Sequence, residues 1–151
     1  MVLTAWLEAS QGATAVERGH QVIMAPHLST YLDYRQSDHP GEPLGHPERI
    51  LTLADAYEFD PLAGGLPAVL PDGGPGVLGT QAQLWTEFAP TPDHVRHLAY
   101  PRLCALAEAA WSVGDRDFDD FERRMAVHEQ RLTVLGALPR LAIGWRAAVS
   151  A

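Results

Sequence analysis

An α/β fold with parallel strands is the architecture this sequence predicts, and three stretches carry the prediction. A short helical pattern over residues 13–18 is closed by Gly19 and followed at once by the β-branched, apolar run 21–25, the rhythm of a helix feeding a parallel strand. A second buried-looking strand covers residues 77–86. In the last third, Phe118, Phe121, Met125, His128, Leu132 and Leu135 recur at helical spacings before Gly136, the strongest periodic signal in the chain.

The remaining elements come in chain order. Residues 2–6 form a short apolar run that fits a strand. Residues 27–48 carry Pro40, Gly41, Pro43, Gly45 and Pro47, which predicts an irregular loop. A helix is expected over 49–57, with Ile50, Leu51, Leu53 and Ala54 as its apolar face. Residues 60–76 read as another loop, with Asp72-Gly73-Gly74-Pro75-Gly76 as its turn. Thr91 can cap a helix whose first residue is Pro92. Pro101 then starts a helix that places Leu103, Leu106, Ala107, Ala110 and Trp111 on one face. No internal repeat or interdomain linker interrupts the chain.

Composition narrows the function. The chain has 151 residues, 46% hydrophobic and 20% charged, within the range of folded globular domains. Its 11 basic residues are all arginine, and they face 19 acidic ones for a net charge of -8. Such a surface repels phosphate, so neither nucleic acid nor an anionic membrane is an expected partner. No apolar run approaches the roughly 20 residues that cross a bilayer. The opening residues lack the basic flank of a signal peptide, so a free-standing chain would be expected in the cytoplasm. The compartment is otherwise open. Cys104 is single and sits in an Ala/Leu-rich helix, which excludes an internal disulfide and suits a small packed hydrophobe better than a nucleophile.

In parallel α/β folds, chemistry collects at the carboxyl ends of strands. After the first strong strand comes Tyr31-Leu32-Asp33, and at the end of the second comes Trp85-Thr86-Glu87. Alternation puts Tyr31 with Asp33, and Trp85 with Glu87, on common sides. An aromatic face can cover the C–H surface of a sugar ring while a carboxylate accepts from its hydroxyls. The same residues also fit plain core aromatics beside solvated acids. His20, His27, His39 and His46 match no compact zinc spacing, so no metal is expected. His94 and His97, three apart, fit solvated surface histidines, and His128 a partly buried one. Gly73-Gly74-Pro75-Gly76 precedes a strand, so it is no phosphate cradle.

Six blocks then carry a family resemblance. They are the run from Gly19 to Pro26; Tyr31-Leu32-Asp33; Tyr57-Glu58-Phe59-Asp60-Pro61; the run from Leu78 to Glu87; Tyr100-Pro101-Arg102 with Ala107-Glu108-Ala109-Ala110-Trp111; and Phe121-Glu122-Arg123-Arg124. In this order they resemble the β-N-acetylhexosaminidases of glycoside hydrolase family 20. The resemblance implies that residues 1–151 are the C-terminal portion of a catalytic (β/α)8 TIM barrel: its last two to three βα units, followed by C-terminal helices. The 22–24 strand would be the seventh and the strand ending at Trp85 the eighth. Tyr31 would hydrogen-bond the carbonyl oxygen of the substrate's acetamido group. Asp33 and Glu87 would hold sugar hydroxyls, and Trp85 would wall the pocket. Hydrolysis in this family is substrate-assisted, the acetamido oxygen acting as nucleophile. No cofactor is implied.

The departures matter as much. The family's adjacent Asp-Glu pair, which orients the acetamido group and protonates the leaving oxygen, has no counterpart in these 151 residues. The early substrate-binding Arg and His are missing too. The loop after Asp33 commonly carries a Trp near the position of His46, and here there is none. The expected partners are therefore glycans bearing N-acetylhexosamine, and either the N-terminal part of the barrel or a second copy of the chain. The chain alone is expected to be inactive. A non-catalytic carbohydrate-binding or barrel-complementing subunit is the rival reading, and an unrelated α/β domain the plainest.

Overall fold

Alternating burial along residues 21–24 explains where the chain builds its sheet: Val22 and Met24 are sealed, while Gln21 and Ile23 are half-buried. The computed structural model describes residues 1–69, 72–112 and 115–137. In chain order the elements are β1 (Val2–Ala5), α1 (Ala9–Glu17), β2 (Gln21–Met24), α2 (His27–Thr30), β3 (Tyr34–Arg35), β4 (His46–Ile50), α3 (Leu53–Glu58), β5 (Gly76–Thr80), α4 (Pro92–Ala99), α5 (Arg102–Trp111) and α6 (Phe118–Val134). The fold is α/β. A three-stranded parallel sheet runs β1-β2-β5, and β3 pairs with β4 in a separate parallel ribbon. Among the described residues no helix is long and apolar enough to cross a membrane.

Helix α1 begins four residues before the expected position. Gly12, which precedes the expected helix, lies within α1 and faces the sheet: a Cβ there would collide with the Met24 sulfur. Its missing side chain lets the helix sit close on β2. The helix ends in a Schellman motif, with Gly19 at φ +82° donating to Val16 O and His20 to Ala15 O, which satisfies two terminal carbonyls.

The second half of the expected 77–86 strand leaves the ladder after Thr80. Pro26 and α2 end β2's side of the pairing, so only an isolated bridge, Tyr31 with Gln83, continues it. Between those points the 27–48 segment is more ordered than a loop. Its prolines fall between β3 and β4, apart from Pro47, which a two-stranded ribbon tolerates because each strand has a free edge. The helix expected over 49–57 starts only at Leu53. Thr52 and Asp55 form a reciprocal capping box there, a signal readable as Thr-x-x-Asp.

Thr91 caps α4 with Pro92 at its first position, as expected. Helix α5 is rotated relative to its predicted face. Arg102, Ala105, Leu106 and Ala109 turn inward, and Trp111 is 87% exposed. The charge on Arg102 argues for the outside; in the structure it is fully enclosed. Helix α6 buries Phe121, Met125 and Leu132 of its stripe, whereas Leu135 is exposed.

Two apolar clusters hold these layers. Ala5, Ala15, Val22, Met24 and Val77 join α1 to the sheet. Leu32, Tyr57, Leu106, Phe121 and Met125 join α3, α5 and α6. Full burial of a side chain such as Val22 or Met24 contributes about 1.5–3 kcal/mol. Leu32 links this scaffold to function, because it anchors in the helical cluster between Tyr31 and Asp33.

Candidate active site

Each strand of the parallel sheet delivers residues from its carboxyl end to one open cleft of about 520 Å³. Trp6 follows β1; His27, Tyr31 and Asp33 follow β2; Trp85, Glu87 and Phe88 follow β5. The β3–β4 ribbon adds Tyr34, His46 and Glu48. All four residues singled out from the sequence, Tyr31, Asp33, Trp85 and Glu87, therefore line the same cavity. Strand alternation is not what brings them together, since turns interrupt the backbone at Leu32-Asp33 and Glu87-Phe88.

Asp33 forms the floor. It is 5% exposed, and its Oδ1 has no hydrogen-bond partner. A buried carboxylate oxygen left without a donor is costly, and a ligand hydroxyl would supply one. Burial raises the Asp33 carboxyl above its ordinary range; a backbone hydrogen bond and His46 oppose this, and the Glu87 charge adds to it. The folded state then binds the proton more tightly than the unfolded chain. Asp33 accordingly favours folding below the usual carboxylate pKa and loses that contribution as pH rises. Asp33→Asn should thus raise the thermal midpoint at pH 7 by about 2–4 °C, with the gain shrinking near pH 4. Melting curves of both proteins at the two pH values check this; an equal gain at both would contradict it.

Beside Asp33 runs a hydrogen-bonded chain of three side chains. His27 Nδ1 lies 2.7 Å from the Tyr34 hydroxyl, which donates to Glu48 Oε2 at 3.2 Å. Burial first, and then Glu48, push the Tyr34 phenol up to about 12, so it stays protonated at neutral pH. The His46 ring packs edge-on against Tyr34 and Phe88, at 5.4 and 5.7 Å between centroids. The rim is more open, with Trp85 54% exposed and Glu87 also exposed. The cleft thus offers aromatic faces and three carboxylates with no basic side chain except histidine, a lining suited to a polyhydroxylated ligand with apolar ring faces.

Six lining residues escaped the sequence reading: Trp6, His27, Tyr34, His46, Glu48 and Phe88. Trp6 could have been found, as an aromatic immediately after a parallel strand. Tyr34, His46 and Glu48 lie on the β3–β4 ribbon, which the proline and glycine pattern conceals, and His27 and Phe88 reach the cleft through ring contacts with Tyr34 and His46. His94 and His97 are not surface residues as expected: both are buried, and their ring nitrogens meet Leu44 O and Glu42 Oε1. Cys104 is half-buried, and burial pushes its thiol up to about 11. Among the described residues no cluster of three or more His, Cys, Asp or Glu could hold a metal. A larger cavity of about 760 Å³ lies between β5, Trp111 and the start of α6, away from the strand ends that gather the polar groups above.

Arg102 holds this region from behind. With no exposed surface, its guanidinium donates to the carbonyls of Leu32 (2.6 Å), Leu51 (2.9 Å) and Leu98 (2.6 Å). Leu32 and Leu51 bracket the segment that carries Asp33, Tyr34, His46 and Glu48, so one side chain closes its base.

Known proteins resemble this chain in sequence and in fold. The profile described as glycosyl hydrolase family 20, catalytic domain, matches residues 1–113. A Beta-hexosaminidase of Porphyromonas gingivalis is 38% identical over 122 residues, covering 80% of this chain and 15% of that protein. A Beta-N-acetylhexosaminidase of Cellulomonas fimi is 38% identical over 118 residues, covering 76% of this chain and 22% of that protein. Among solved structures, the GH20 Exo beta-N-Acetylglucosaminidase of Vibrio harveyi in complex with N-acetylglucosamine superposes with a TM-score of 0.80 at 32% identity, covering 92% of this chain and 22% of its own. The Streptomyces plicatus N-acetyl-beta-hexosaminidase in complex with Thio-NAglucal gives 0.73 at 27% identity, covering 93% and 29%. The chain thus spans less than a third of each of these proteins.

Proposed function

Because the chain belongs to glycosyl hydrolase family 20, we propose that it is the C-terminal portion of a β-N-acetylhexosaminidase barrel and supplies one wall of the cleft for a terminal N-acetylhexosamine. The observation that carries this reading is the meeting of Tyr31, Asp33, Trp85 and Glu87 in one cavity at the carboxyl ends of parallel strands. In this reading β2 is the seventh barrel strand and β5 the eighth, with α4 to α6 closing the domain. The substrate class is drawn from the relatives, which include an enzyme bound to N-acetylglucosamine.

The chemistry assigned to each residue is limited to binding and electrostatics. The Tyr31 hydroxyl donates to the acetamido oxygen and stabilises it as it moves onto the anomeric carbon. Asp33, with its unpartnered oxygen, and Glu87 accept from ring hydroxyls. Trp85 covers the ring face. The chain has no Asp-Glu pair, so protonation of the leaving oxygen falls to the N-terminal part of the barrel. Exposed apolar side chains at Leu78 and Trp111 give that part, or a second copy, a surface to cover.

Calorimetric titration of the 151-residue chain with N-acetylglucosamine tests the reading. Binding heat is expected, and Trp85→Ala should abolish it or weaken affinity about 10-fold or more. No heat from the parent chain, or equal heat from both proteins, would overturn it.

A further inference from the structure

Glu42 and His97 do not line the cleft, yet they meet in one of the most enclosed polar contacts of the chain. His97 Nε2 stands 2.9 Å from Glu42 Oε1, the side chains being 3% and 1% exposed. Glu42 also accepts from the Gln36 backbone N–H at 3.0 Å and the Ser37 hydroxyl at 2.9 Å. Burial pushes its carboxyl up, but these bonds outweigh burial and hold it below the ordinary range. The Gln36 amide donates in turn to the carbonyls of His97 and Tyr100. Nearer the cleft, His94 Nε2 reaches Leu44 O at 2.6 Å. Loop 36–45 is thereby stitched to α4 and its C-cap Tyr100 at several points.

The chain passes from this loop directly into the cleft wall. Gly45 has no room for a side chain, since a Cβ would stand 2.7 Å from Arg35 N and 2.9 Å from Asp33 O. His46 N–H then donates to Asp33 O at 2.7 Å, and Glu48 lies two residues on. A displacement of Glu42 would be transmitted through Leu44 and Gly45 to both lining residues. A buried, hydrogen-bonded polar pair is seldom more stabilising than an apolar pair of the same volume. Its distinguishing property is that it accepts one arrangement of partners only.

We propose that Glu42 and His97 are a positioning pair, setting the β4 wall of the cleft, His46 and Glu48, without touching the ligand. Its effect on sugar binding rests on the function proposed above; its effect on the ribbon does not.

Hydrogen exchange on the unliganded 151-residue chain separates the two. In His97→Leu the amides of His46 and Leu51, bonded to Asp33 O and Arg35 O, should exchange about tenfold faster or more, while Ala25 and Gln81, bonded to Ala5 O and Met24 O just past the ends of β2 and β5, keep their protection. His97→Gln, which retains a donor for Glu42, should restore His46 and Leu51. Should His97→Leu fail to fold, Glu42→Gln gives the same comparison. Unchanged protection at His46 and Leu51, or equal loss at Ala25 and Gln81, overturns the proposal. In the N-acetylglucosamine titration, weaker binding in His97→Leu with recovery in His97→Gln supports it, and equal binding by all three proteins counts against it. A parent chain that binds no sugar overturns the proposed function, and exchange alone then decides the positioning role.

Discussion

Arg102→Met should destabilise the chain by on the order of 3 kcal/mol or more, the largest stability loss expected from a single substitution here. Methionine is long and apolar enough to occupy much of the same volume, so the loss is not one of packing. The guanidinium joins the carbonyls of Leu32, Leu51 and Leu98, and methionine leaves all of them buried without that donor. Burial pulls Arg102 down to about 9, against the opposing pull of Glu42 and then Asp33, so it remains charged at pH 7. Domains of this size are stable by only about 5–15 kcal/mol. Lysine should not rescue, because a single ammonium cannot span carbonyls that a planar fork reaches from two nitrogens. Urea unfolding of the parent, Arg102→Met and Arg102→Lys measures this; a midpoint for Arg102→Met that matches the parent would refute it.

The second large effect concerns catalysis. Alone, the 151-residue chain should release no detectable chromophore from a chromogenic N-acetylglucosaminide. In the function proposed above the general acid lies on another segment, and its loss by itself costs about 10²- to 10⁴-fold in rate. Tyr34, beside Asp33 in the cleft, cannot replace that acid. Tyr34 holds its proton up to about 12 and already donates it to Glu48. Clear turnover by the pure chain would sink the assignment of protonation to another segment. Adding a separately made N-terminal barrel portion should restore turnover, and Tyr31→Phe should then reduce it about 10²-fold.

Much of this architecture is legible in the residues. Gly19 closing α1, the run into β2, Thr91-Pro92 opening α4 and the stripe of α6 all arise from local chemistry. Tyr31, Asp33, Trp85 and Glu87 stand out because aromatic and acid residues recur together after apolar runs. The illegible parts depend on tertiary partners. Gly12 falls outside the expected helix until Met24 is placed against it. The inward face of α5 is misplaced until the carbonyls of Leu32 and Leu51 converge on Arg102. His94 and His97 count as solvated until loop 36–45 folds over α4. Each error has the same origin: a polar or small residue whose reason lies about 50 residues or more away in sequence, or on another element.

Arg102 also orders events in time. The carbonyl of Leu51 precedes it by 51 residues and that of Leu32 by 70. A ribosome adding about 5–20 residues per second takes roughly 3–10 s to make the intervening chain after Leu51. Throughout that interval β1, α1 and β2 can already pair, because their contacts are local, while Asp33, Tyr34, His46 and Glu48 hang from a base not yet tied. The cleft is therefore a late product of synthesis, and a chaperone that recognises the nascent protein would meet its aromatic residues before the helix that organises them exists.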